Sequence, residues 1–346
     1  MKVIHFLSTN SFSGAENVVC QIIKMFENDT DIEMIYCSPD GKIRKKLSEL
    51  GIAYVPIKNI NPYNVRKVIK EFKPDVVHAH DPKMCCICAM VTGRSVKVVG
   101  HIHGNHPYMR KKTPQSILFS LASHNIDQLI WVSKSTLSEY WDSKRVAVKS
   151  TMLANIINVE EVRKRAVPSS DKYDVVFLGR LSEEKDPLRF VELCCLIHSK
   201  NPNVSFAMIG DGPLSQSVEE RVQNCGLSNV FGLLGFQPNP IKYLANSNVM
   251  VMTSVHEGTP MAALEALSVG VPIVSTPTDG MVELIHNDEN GYLSSSNEEL
   301  ANKILEIYTN AEYRKGLSIN AQSQMNEEMN VERYKEKLIT IYEEVI

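Results

Sequence analysis

Two glutamates eight residues apart mark the segment of the chain with the clearest chemical potential. Glu257 and Glu265 lie in SVHEGTPMAALEALSVGVPIVST, where Thr259 is suited to cap a helix and Pro260 to occupy its first position. A helix that begins there places Glu265 in its second turn. Its first backbone N–H groups are unpaired and carry the positive end of the helix dipole, so the pattern predicts a phosphate site. Gly258 lets the backbone approach a ligand closely because it has no side chain.

The two carboxylates would then flank the phosphates of a nucleotide-linked ligand. From inside the helix, Glu265 would reach the ribose hydroxyls. From before the helix, Glu257 would reach a sugar on the other side of the phosphates. Gly270 fits just past the end of the same helix, and VPIVST returns to a buried strand. An ordinary capped helix, with two glutamates of no special role, is the alternative interpretation.

Two cations follow a predicted strand in VVFLGRLSEEKDP. The strand ends at Gly179, and Asp186 with Pro187 again has the pattern of a helix cap and a first helical residue. Arg180 and Lys185 therefore fall in a strand-to-helix loop at the carboxyl edge of a sheet. Two cations there would neutralise a diphosphate without a metal and stabilise the charge on a departing nucleoside diphosphate. The alternative is a solvated loop.

Two glycine-containing turns add weaker signals. In MIGDGPL, Gly210, Asp211 and Gly212 follow a strand and form a tight turn that we expect to pass close to the nucleotide. Turn geometry alone is the alternative explanation. In STNSFSGAENVV, Gly14 precedes a helix, and its loop is expected to face the same diphosphate from the other domain. The chain lacks GxGxxG with a later acidic partner, which argues against a Rossmann dehydrogenase.

Histidines follow another predicted strand, in VVGHIHGNHP. His101, His103 and His106 form a conceivable metal trio, but carboxylate partners are missing, so one histidine acting as a hydrogen-bond donor is favoured. Histidines that only fill a loop are the alternative. The DxD-like match, Asp29 to Asp31, lies in a polar stretch and is predicted to be a turn. We therefore expect no metal ion.

Short apolar runs alternate with amphipathic stretches from end to end, which is typical of βαβ units and parallel sheets. The pattern restarts after the polar, proline-containing segment 158–173. We therefore predict an α/β protein with two Rossmann-like domains, residues 1–165 and 166–329, followed by a last helix, 330–346. Open parallel sheets bind ligands at the carboxyl ends of their strands, so the predicted site is the cleft between the two domains.

Composition limits the class of protein further. The 346 residues are 43% hydrophobic and 22% charged, as in a globular protein, and no apolar run approaches the ~18 residues that span a membrane. The N-terminus is predicted to be a strand and not a secretory signal. The eight cysteines lack the spacing of a zinc site, so we expect reduced thiols in a cytoplasmic protein.

The charge is distributed unevenly along the chain. Residues 1–165 carry 24 Lys/Arg and 15 Asp/Glu, whereas residues 166–346 carry 13 and 25. The basic half contains the clusters 44–46 and 110–112, which would attract an anionic lipid surface or an anionic acceptor. Solvated surface charge is the alternative interpretation. No nucleic acid partner is expected.

Taken in order, SFSGAE, HIHGN, GRLSEEK, GDGP and EGTPMAALE resemble the retaining family 4 glycosyltransferases, which have the GT-B fold. The resemblance covers nearly the whole chain. It implies that the catalytic residues are His103, Glu257, Arg180 and Lys185. It also implies a donor site made of Gly14, Gly179, Arg180, Lys185, Gly210, Asp211, Gly258, Thr259, Pro260, Met261 and Glu265.

The resemblance assigns individual roles as well. It implies that Arg180 and Lys185 bind the donor diphosphate, that Glu265 binds the ribose, and that His103 contacts the donor sugar and assists transfer. The sequence NIIN, 155–158, occupies the position of the family's hinge, with isoleucine in place of a glycine. The last helix, 330–346, is expected to cross back to the first domain, as is common in this fold.

The resemblance further implies that transfer retains the anomeric configuration and needs no cofactor and no metal ion. It favours a UDP-sugar as donor, with a GDP-sugar second. The expected acceptor is a glycan or a polyprenyl-diphosphate-linked sugar, used to build a bacterial capsule, exopolysaccharide or O-antigen. Such an enzyme would be cytoplasmic and would associate peripherally with the inner face of the cell membrane through its basic N-terminal domain.

Two other functions compete with this one. A UDP-GlcNAc 2-epimerase has the same two-domain architecture, but such enzymes lack the arrangement of GRL…K followed by E-x7-E. A nucleotide-binding partner that has lost catalysis is the second alternative. The joint presence of Arg180, Lys185, Glu257 and Glu265 argues against it.

Overall fold

The computed structural model describes residues 1–12, 14–104 and 106–346. These residues form two compact units. The first unit consists of Met1–Ile156 and Asn330–Ile346, and the second of Ile157–Met329. Each unit is built on one parallel sheet with helices between successive strands, which confirms the predicted pair of Rossmann-like α/β domains.

The described residues of the first unit contain a parallel sheet of seven strands. They are β1 (Lys2–Phe6), β2 (Glu33–Pro39), β3 (Tyr54–Ile57), β4 (Val76–Ala79), β5 (Lys97–Ile102), β6 (Gln128–Trp131) and β7 (Ser150–Met152). The spatial order is β3-β2-β1-β4-β5-β6-β7. Its α-helices before the second unit are α1 (Gly14–Met25), α2 (Ile43–Glu49), α3 (Pro62–Phe72), α4 (Pro82–Val91), α5 (Pro114–Ala122), α6 (Lys134–Ser138) and α7 (Ser143–Val146). The central strand β4 is buried along its whole length because helices cover the sheet.

The second unit contains a parallel sheet with the order β10-β9-β8-β11-β12-β13. Its strands are β8 (Val175–Leu178), β9 (Phe206–Ile209), β10 (Phe231–Gly235), β11 (Val249–Met252), β12 (Ile273–Ser275) and β13 (Gly291–Leu293). Its helices are α8 (Val159–Lys164), α9 (Pro187–Lys200), α10 (Ser215–Asn224), α11 (Ile241–Leu244), α12 (Met261–Ser268), α13 (Asp279–Leu284), α14 (Asn297–Thr309) and α15 (Ala311–Glu328). The strand order reverses between β8 and β11, which is where a doubly wound sheet opens a crevice for ligands.

Two helix starts, one in each unit, are encoded locally. Asp81 caps α4 by accepting a hydrogen bond of 2.8 Å from the backbone N–H of Met84. Asp186 caps α9 in the same way, with Arg189 as donor at 3.2 Å. A proline follows each aspartate, where its missing N–H is not needed. The cap predicted at Asp186 is therefore confirmed.

The two units divide between Ile156 and Ile157, nearer the N-terminus than the predicted boundary at residue 165. The short helix α8 explains the difference, because it packs against α12 of the second unit. Arg163 Nε, in α8, donates a 2.8 Å hydrogen bond to the carbonyl oxygen of Ser268.

The last helix, α16 (Val331–Val345), belongs to the first unit. It buries Leu338 and Tyr342 there, and the Tyr342 hydroxyl lies 2.8 Å from Nδ1 of His78 in β4. Lys335 of the same helix forms a 2.9 Å ion pair with Asp29.

Asp29 also accepts hydrogen bonds from the backbone N–H groups of Asp31 and Ile32, at 3.0 and 3.2 Å. The predicted turn at the DxD-like match is thus confirmed.

All eight cysteines lie within the described residues and are free, and six of them are buried. Among those residues, no helix combines the length and the apolar character needed to cross a membrane.

Candidate functional site

The loop after β8 and the loop after β11 meet at the carboxyl edge of the second sheet. The Lys185 ammonium forms an ion pair with the Glu257 carboxylate, and Ser254 Oγ donates a 2.6 Å hydrogen bond to the same carboxylate oxygen. Glu257 is buried, whereas the Lys185 side chain is partly exposed. Two of the predicted site residues are therefore in direct contact.

Backbone contacts fix these two loops to each other. The N–H of Val255 donates to the carbonyl oxygen of Glu184 at 2.9 Å, and Thr253 Oγ1 donates to that of Asp186 at 2.7 Å. Asp186 has a φ of +43°, which a non-glycine residue adopts only when its surroundings require it. The positions of the Lys185 and Glu257 side chains are thus set by a closely bonded backbone.

Arg180 follows Gly179 in the same loop and is exposed. Its side chain makes no hydrogen bond or ion pair with the described part of the chain. Lys185 is paired with Glu257, so Arg180 is the cation of this loop that has no carboxylate partner among the described residues. An exposed guanidinium beside a sheet edge is suited to bind phosphate oxygens in pairs.

The GDG turn after β9 packs against the loop after β8. Gly210 has a φ of +138°, and a Cβ atom there would lie 1.9 Å from the carbonyl oxygen of Gly179. A Cβ atom at Gly212 would lie 2.4 Å from the carbonyl oxygen of Leu181. Asp211 turns back onto its own loop, because its Oδ1 accepts a 2.7 Å hydrogen bond from the N–H of Gly212. The glycines are required by close packing whether or not a ligand is bound.

The helix α12 begins one residue later than predicted. Its cap residue is Pro260, whose backbone is extended (φ −74°, ψ 121°), and Met261 is the first helical residue. The predicted N-cap at Thr259 and first helical position at Pro260 are therefore wrong. In the described residues no side chain caps this helix start. Its amides thus remain suited to an anion, and Glu265 still falls in the second turn.

The backbone before α12 is held by α13. A Cβ atom at Gly280 would lie 1.2 Å from the carbonyl oxygen of Gly258, and the N–H of Gly280 donates to Glu257 O at 3.3 Å. Past the far end of α12, Gly270 has a φ of +77°, which confirms the predicted helix stop.

Glu265 is a buried carboxyl group inside α12. Burial raises its pKa to about 7, and Arg165, whose Nη1 lies 3.9 Å from Oε1, acts in the opposite direction. A buried carboxylate that accepts two hydroxyl hydrogen bonds is suited to the two hydroxyls of a ribose. Arg165 was not among the predicted site residues, because a cation between two predicted domains has no local signal of its own.

In the first unit, Gly14 is exposed and is the first residue of α1. Its predicted role at the donor diphosphate concerns a loop that includes Ser13, which lies outside the described residues.

His106 precedes a 3-10 helix, and its ring lies 5.4 Å from that of Tyr108.

His103 is part of a group of five histidines, which we call the histidine column: His5, His78, His80, His101 and His103. His103 Nε2 lies 2.9 Å from His80 Nδ1, and His80 Nε2 lies 2.9 Å from His5 Nδ1. His103 Nδ1 lies 3.2 Å from Asn155 Oδ1. Both ring nitrogens of His103 thus have partners within the first unit.

Burial favours the neutral form of the imidazoles in the histidine column. Burial lowers the pKa of His103 to about 4, and it lowers those of His78, His80 and His101 as well. The sequence indicated His101 and His103, whereas His5, His78 and His80 were not predicted. The two-residue spacing of His78 and His80 was the local signal, because it matches the period of a strand, although β4 itself ends at Ala79.

Two overlapping trios of the column bring one nitrogen from each ring within 4.8 Å: His5, His78, His80, and His80, His101, His103. A bound metal lies in the plane of each imidazole, and zinc prefers tetrahedral ligands. The rings of His101 and His103 instead stack 4.0 Å apart with 28° between their planes. Two stacked rings do not both direct an in-plane lone pair at one ion, so this arrangement favours imidazoles that pack against each other.

Comparisons with known proteins agree with this geometry. Residues 12–161 match the profile of Glycosyltransferase Family 4, and residues 158–324 match that of Glycosyl transferases group 1. A UDP-Gal:alpha-D-GlcNAc-diphosphoundecaprenol alpha-1,3-galactosyltransferase of Escherichia coli is 24% identical, over 100% of this chain and 97% of its own.

An alpha-1,4-N-acetyl-D-galactosaminyltransferase of Campylobacter jejuni, named for a diNAcBac-PP-undecaprenol-linked substrate, is 26% identical over 100% of this chain and 99% of its own. The crystal structure of Anabaena HepE in complex with UDP superposes with a TM-score of 0.84, at 18% identity, over 98% of this chain and 99% of that one. Two matched profiles that together span residues 12–324, on two Rossmann-like sheets of the GT-B type, show that the chain is a glycosyltransferase of family 4.

Proposed function

We propose that the chain transfers a sugar from a nucleotide-diphosphate donor, with retention of configuration, to a polyprenyl-diphosphate-linked acceptor in surface polysaccharide synthesis. UDP is the favoured nucleotide, and GDP is second. The relatives from E. coli and C. jejuni, both named for undecaprenol-linked substrates, support the acceptor class. The E. coli name and the UDP complex of HepE support the donor.

One observation carries the proposal: the Lys185–Glu257 ion pair joins the loop that contains the exposed Arg180 to the segment just before the uncapped start of α12. A donor diphosphate bound there meets two cations and a row of backbone N–H donors. The same groups stabilise the nucleoside diphosphate as it leaves, which is the main requirement of a transfer that runs through an oxocarbenium-like state. The charge balance is met by protein groups, so we propose that no metal ion takes part.

The ion pair also suggests how Lys185 is held before the donor binds. Glu257 and Ser254 keep the ammonium near the carboxyl edge of the sheet, and phosphate oxygens then compete with Glu257 for it. Release of Glu257 from Lys185 would free a carboxylate to accept hydrogen bonds from sugar hydroxyls. We propose these roles for Lys185 and Glu257, together with ribose binding by Glu265.

His103 is proposed to contact the donor sugar, but its ring nitrogens are already engaged. A hydrogen bond from the His103 ring to a sugar hydroxyl requires that Nε2 leave His80 or that Nδ1 leave Asn155. The partners His80 and Asn155 therefore fix the orientation of the ring until the donor arrives.

Transfer is tested with the purified chain, UDP- and GDP-sugars, and a sugar diphosphate carrying a short alkyl chain. The proposal expects an α-linked product from an α-linked donor, seen by NMR, at a rate that EDTA does not change. A β-linked product would overturn retention, and loss of activity in EDTA would overturn metal independence. Conversion of UDP-GlcNAc to an epimer without acceptor would instead identify an epimerase.

A further inference from the structure

Three rings of the histidine column form one continuous chain of hydrogen bonds. His5 Nδ1 lies 2.9 Å from His80 Nε2, and His80 Nδ1 lies 2.9 Å from His103 Nε2. The chain ends at Met34 Sδ, 3.4 Å from His5 Nε2, and at Asn155 Oδ1, 3.2 Å from His103 Nδ1. Every ring nitrogen of these three histidines thus has a partner, and we call the three rings the imidazole relay.

The imidazole relay has fewer protons than contacts. Burial lowers the pKa of His5 to about 3 and that of His103 to about 4, and it lowers that of His80 as well, so each ring is neutral at neutral pH. A neutral imidazole has one N–H and one lone pair, whereas a thioether sulfur and an amide oxygen only accept. Three N–H groups therefore serve four contacts, and one contact has no proton.

The contact with Met34 is the one that costs least to leave without a proton. A thioether sulfur is a weak acceptor, while the amide oxygen of Asn155 is a strong one. Every N–H of the imidazole relay then points away from Met34 and toward Asn155. In this direction each of the three rings carries its proton on Nδ1.

The other two histidines of the column lie outside this chain. His78 Nδ1 contacts the hydroxyl of Tyr342, and neither ring nitrogen of His101 has a hydrogen-bond partner in the described part of the chain. The ring of His101 nevertheless stacks on that of His103 at 4.0 Å. His101 therefore shares the packing of the column without its hydrogen bonds, which makes it a matched control.

We propose that His5 and His80 are positioning residues that hold His103 as its Nδ1–H tautomer. Through His80, the proton of His5 determines which nitrogen of His103 is left to accept. His103 then donates only at Nδ1, where Asn155 Oδ1 occupies the position of an accepting hydroxyl oxygen. The donor sugar would supply that hydroxyl, so the use of the tautomer rests on the proposed function, but the tautomer itself does not.

The tautomers are measured by NMR of the full chain, labelled with heavy nitrogen in its histidines and free of ligand. Signals of His5 and His103 are assigned from their absence in His5→Gln and His103→Gln. Both rings should show a protonated Nδ1 and an unprotonated Nε2. A protonated Nε2 on His103 would overturn the proposal, because the amide of Asn155 would then donate and the imidazole relay would run toward Met34.

Loss of the acceptor at one end should be detected at the other. In Asn155→Leu three N–H groups serve three contacts, so the direction reverses and His5 should become protonated on Nε2. Asn155→Val makes the same change with a smaller side chain and should give the same result. Adding His80→Leu interrupts the chain, so His5 should then no longer respond to position 155. A tautomer of His5 that ignores Asn155→Leu and Asn155→Val, or one that changes in His101→Phe, would overturn the relay.

Sugar transfer separates this inference from the proposed function. His80→Leu removes a hydrogen bond that orients the ring of His103, so kcat should fall about tenfold. His101→Phe keeps a stacked ring and should transfer at the wild-type rate. Wild-type kcat in His80→Leu would overturn the positioning role. A chain that transfers no sugar, but whose His5 responds to Asn155→Leu, would keep the relay and overturn the function.

Discussion

Lys185 and Glu257 depend on each other both for stability and for the proposed chemistry. Replacing Lys185 with alanine leaves a buried carboxylate without its cation, which typically costs about 3–5 kcal/mol. It also removes one of two cations from the leaving group, so we expect transfer to fall at least about a hundredfold. Initial rates and urea denaturation of Lys185→Ala measure the two effects.

A double substitution separates them. Lys185→Met/Glu257→Gln removes both charges, so it should regain most of the stability lost in Lys185→Ala and stay inactive. If the double variant transferred sugar at the wild-type rate, the ion pair would be structural only. The sequence predicted that both residues face the donor, but not that they pair. The two positions are 72 residues apart, and only the folded loops bring them together.

Glu265 makes a pH-dependent contribution to the free energy of unfolding, and one substitution can isolate it. Its pKa in the folded chain is about 7, raised by burial from the ordinary 4.5. Between these values the unfolded chain is ionised at this position and the folded one is protonated, so stability falls as pH rises through the interval. Glu265→Gln removes this slope, and its free energy of unfolding should therefore gain on that of wild type between about pH 5 and about pH 8.

The affinity for UDP should also depend on the ionisation of the Glu265 carboxyl group. The ionised carboxylate accepts hydrogen bonds from both ribose hydroxyls, so the wild-type affinity for UDP should increase as pH rises toward about 8. Calorimetric titration of Glu265→Gln should show weaker binding with little pH dependence. Parallel pH profiles in the two proteins would contradict the role of Glu265 at the ribose.

At the scale of elements, the turn after β9 is the clearest case of a glycine required by packing. Gly210→Ala combines a positive φ with a Cβ atom 1.9 Å from Gly179 O, so β8 and β9 must shift apart. Gly226 has a positive φ too, but a Cβ atom there meets nothing within 4 Å. We expect about 1 kcal/mol of destabilisation for Gly226→Ala and clearly more for Gly210→Ala. Equal denaturation midpoints for Gly210→Ala and Gly226→Ala would show that the turn after β9 accommodates the added methyl group without extra cost.

The features that the sequence predicted correctly are those determined by a few neighbouring residues. Asp186 caps α9 as predicted, because an aspartate before a proline is a local pattern. Thr259 fails as a cap because the following Pro260 adopts an extended backbone and occupies the cap position itself. The histidine column joins β1, β4 and β5, and strand order is a long-range property, so only its period-two spacing was visible in advance.

At the scale of the whole molecule, the chain returns at its end to the unit in which it began. Tyr342 in α16 links this return to His78 through a buried hydrogen bond of 2.8 Å. Tyr342→Phe keeps the ring and removes only the hydroxyl, so we expect the free energy of unfolding to fall by about 1 kcal/mol.

Deletion of residues 330–346 should unfold the first unit, because Leu338 and Tyr342 pack in its interior. Circular dichroism and thermal melting would check both variants, and an unchanged melt after the deletion would contradict the assignment.

The histidine column makes folding a proton-releasing reaction in weakly acidic solution. Free imidazoles titrate at an ordinary pKa of 6.5, whereas burial lowers that of His5 to about 3 and that of His103 to about 4. The unfolded chain therefore binds more protons, and the free energy of unfolding declines as pH drops below about 6.5. The heat of unfolding at about pH 6 should consequently depend on the ionisation enthalpy of the buffer, because the buffer must supply those protons.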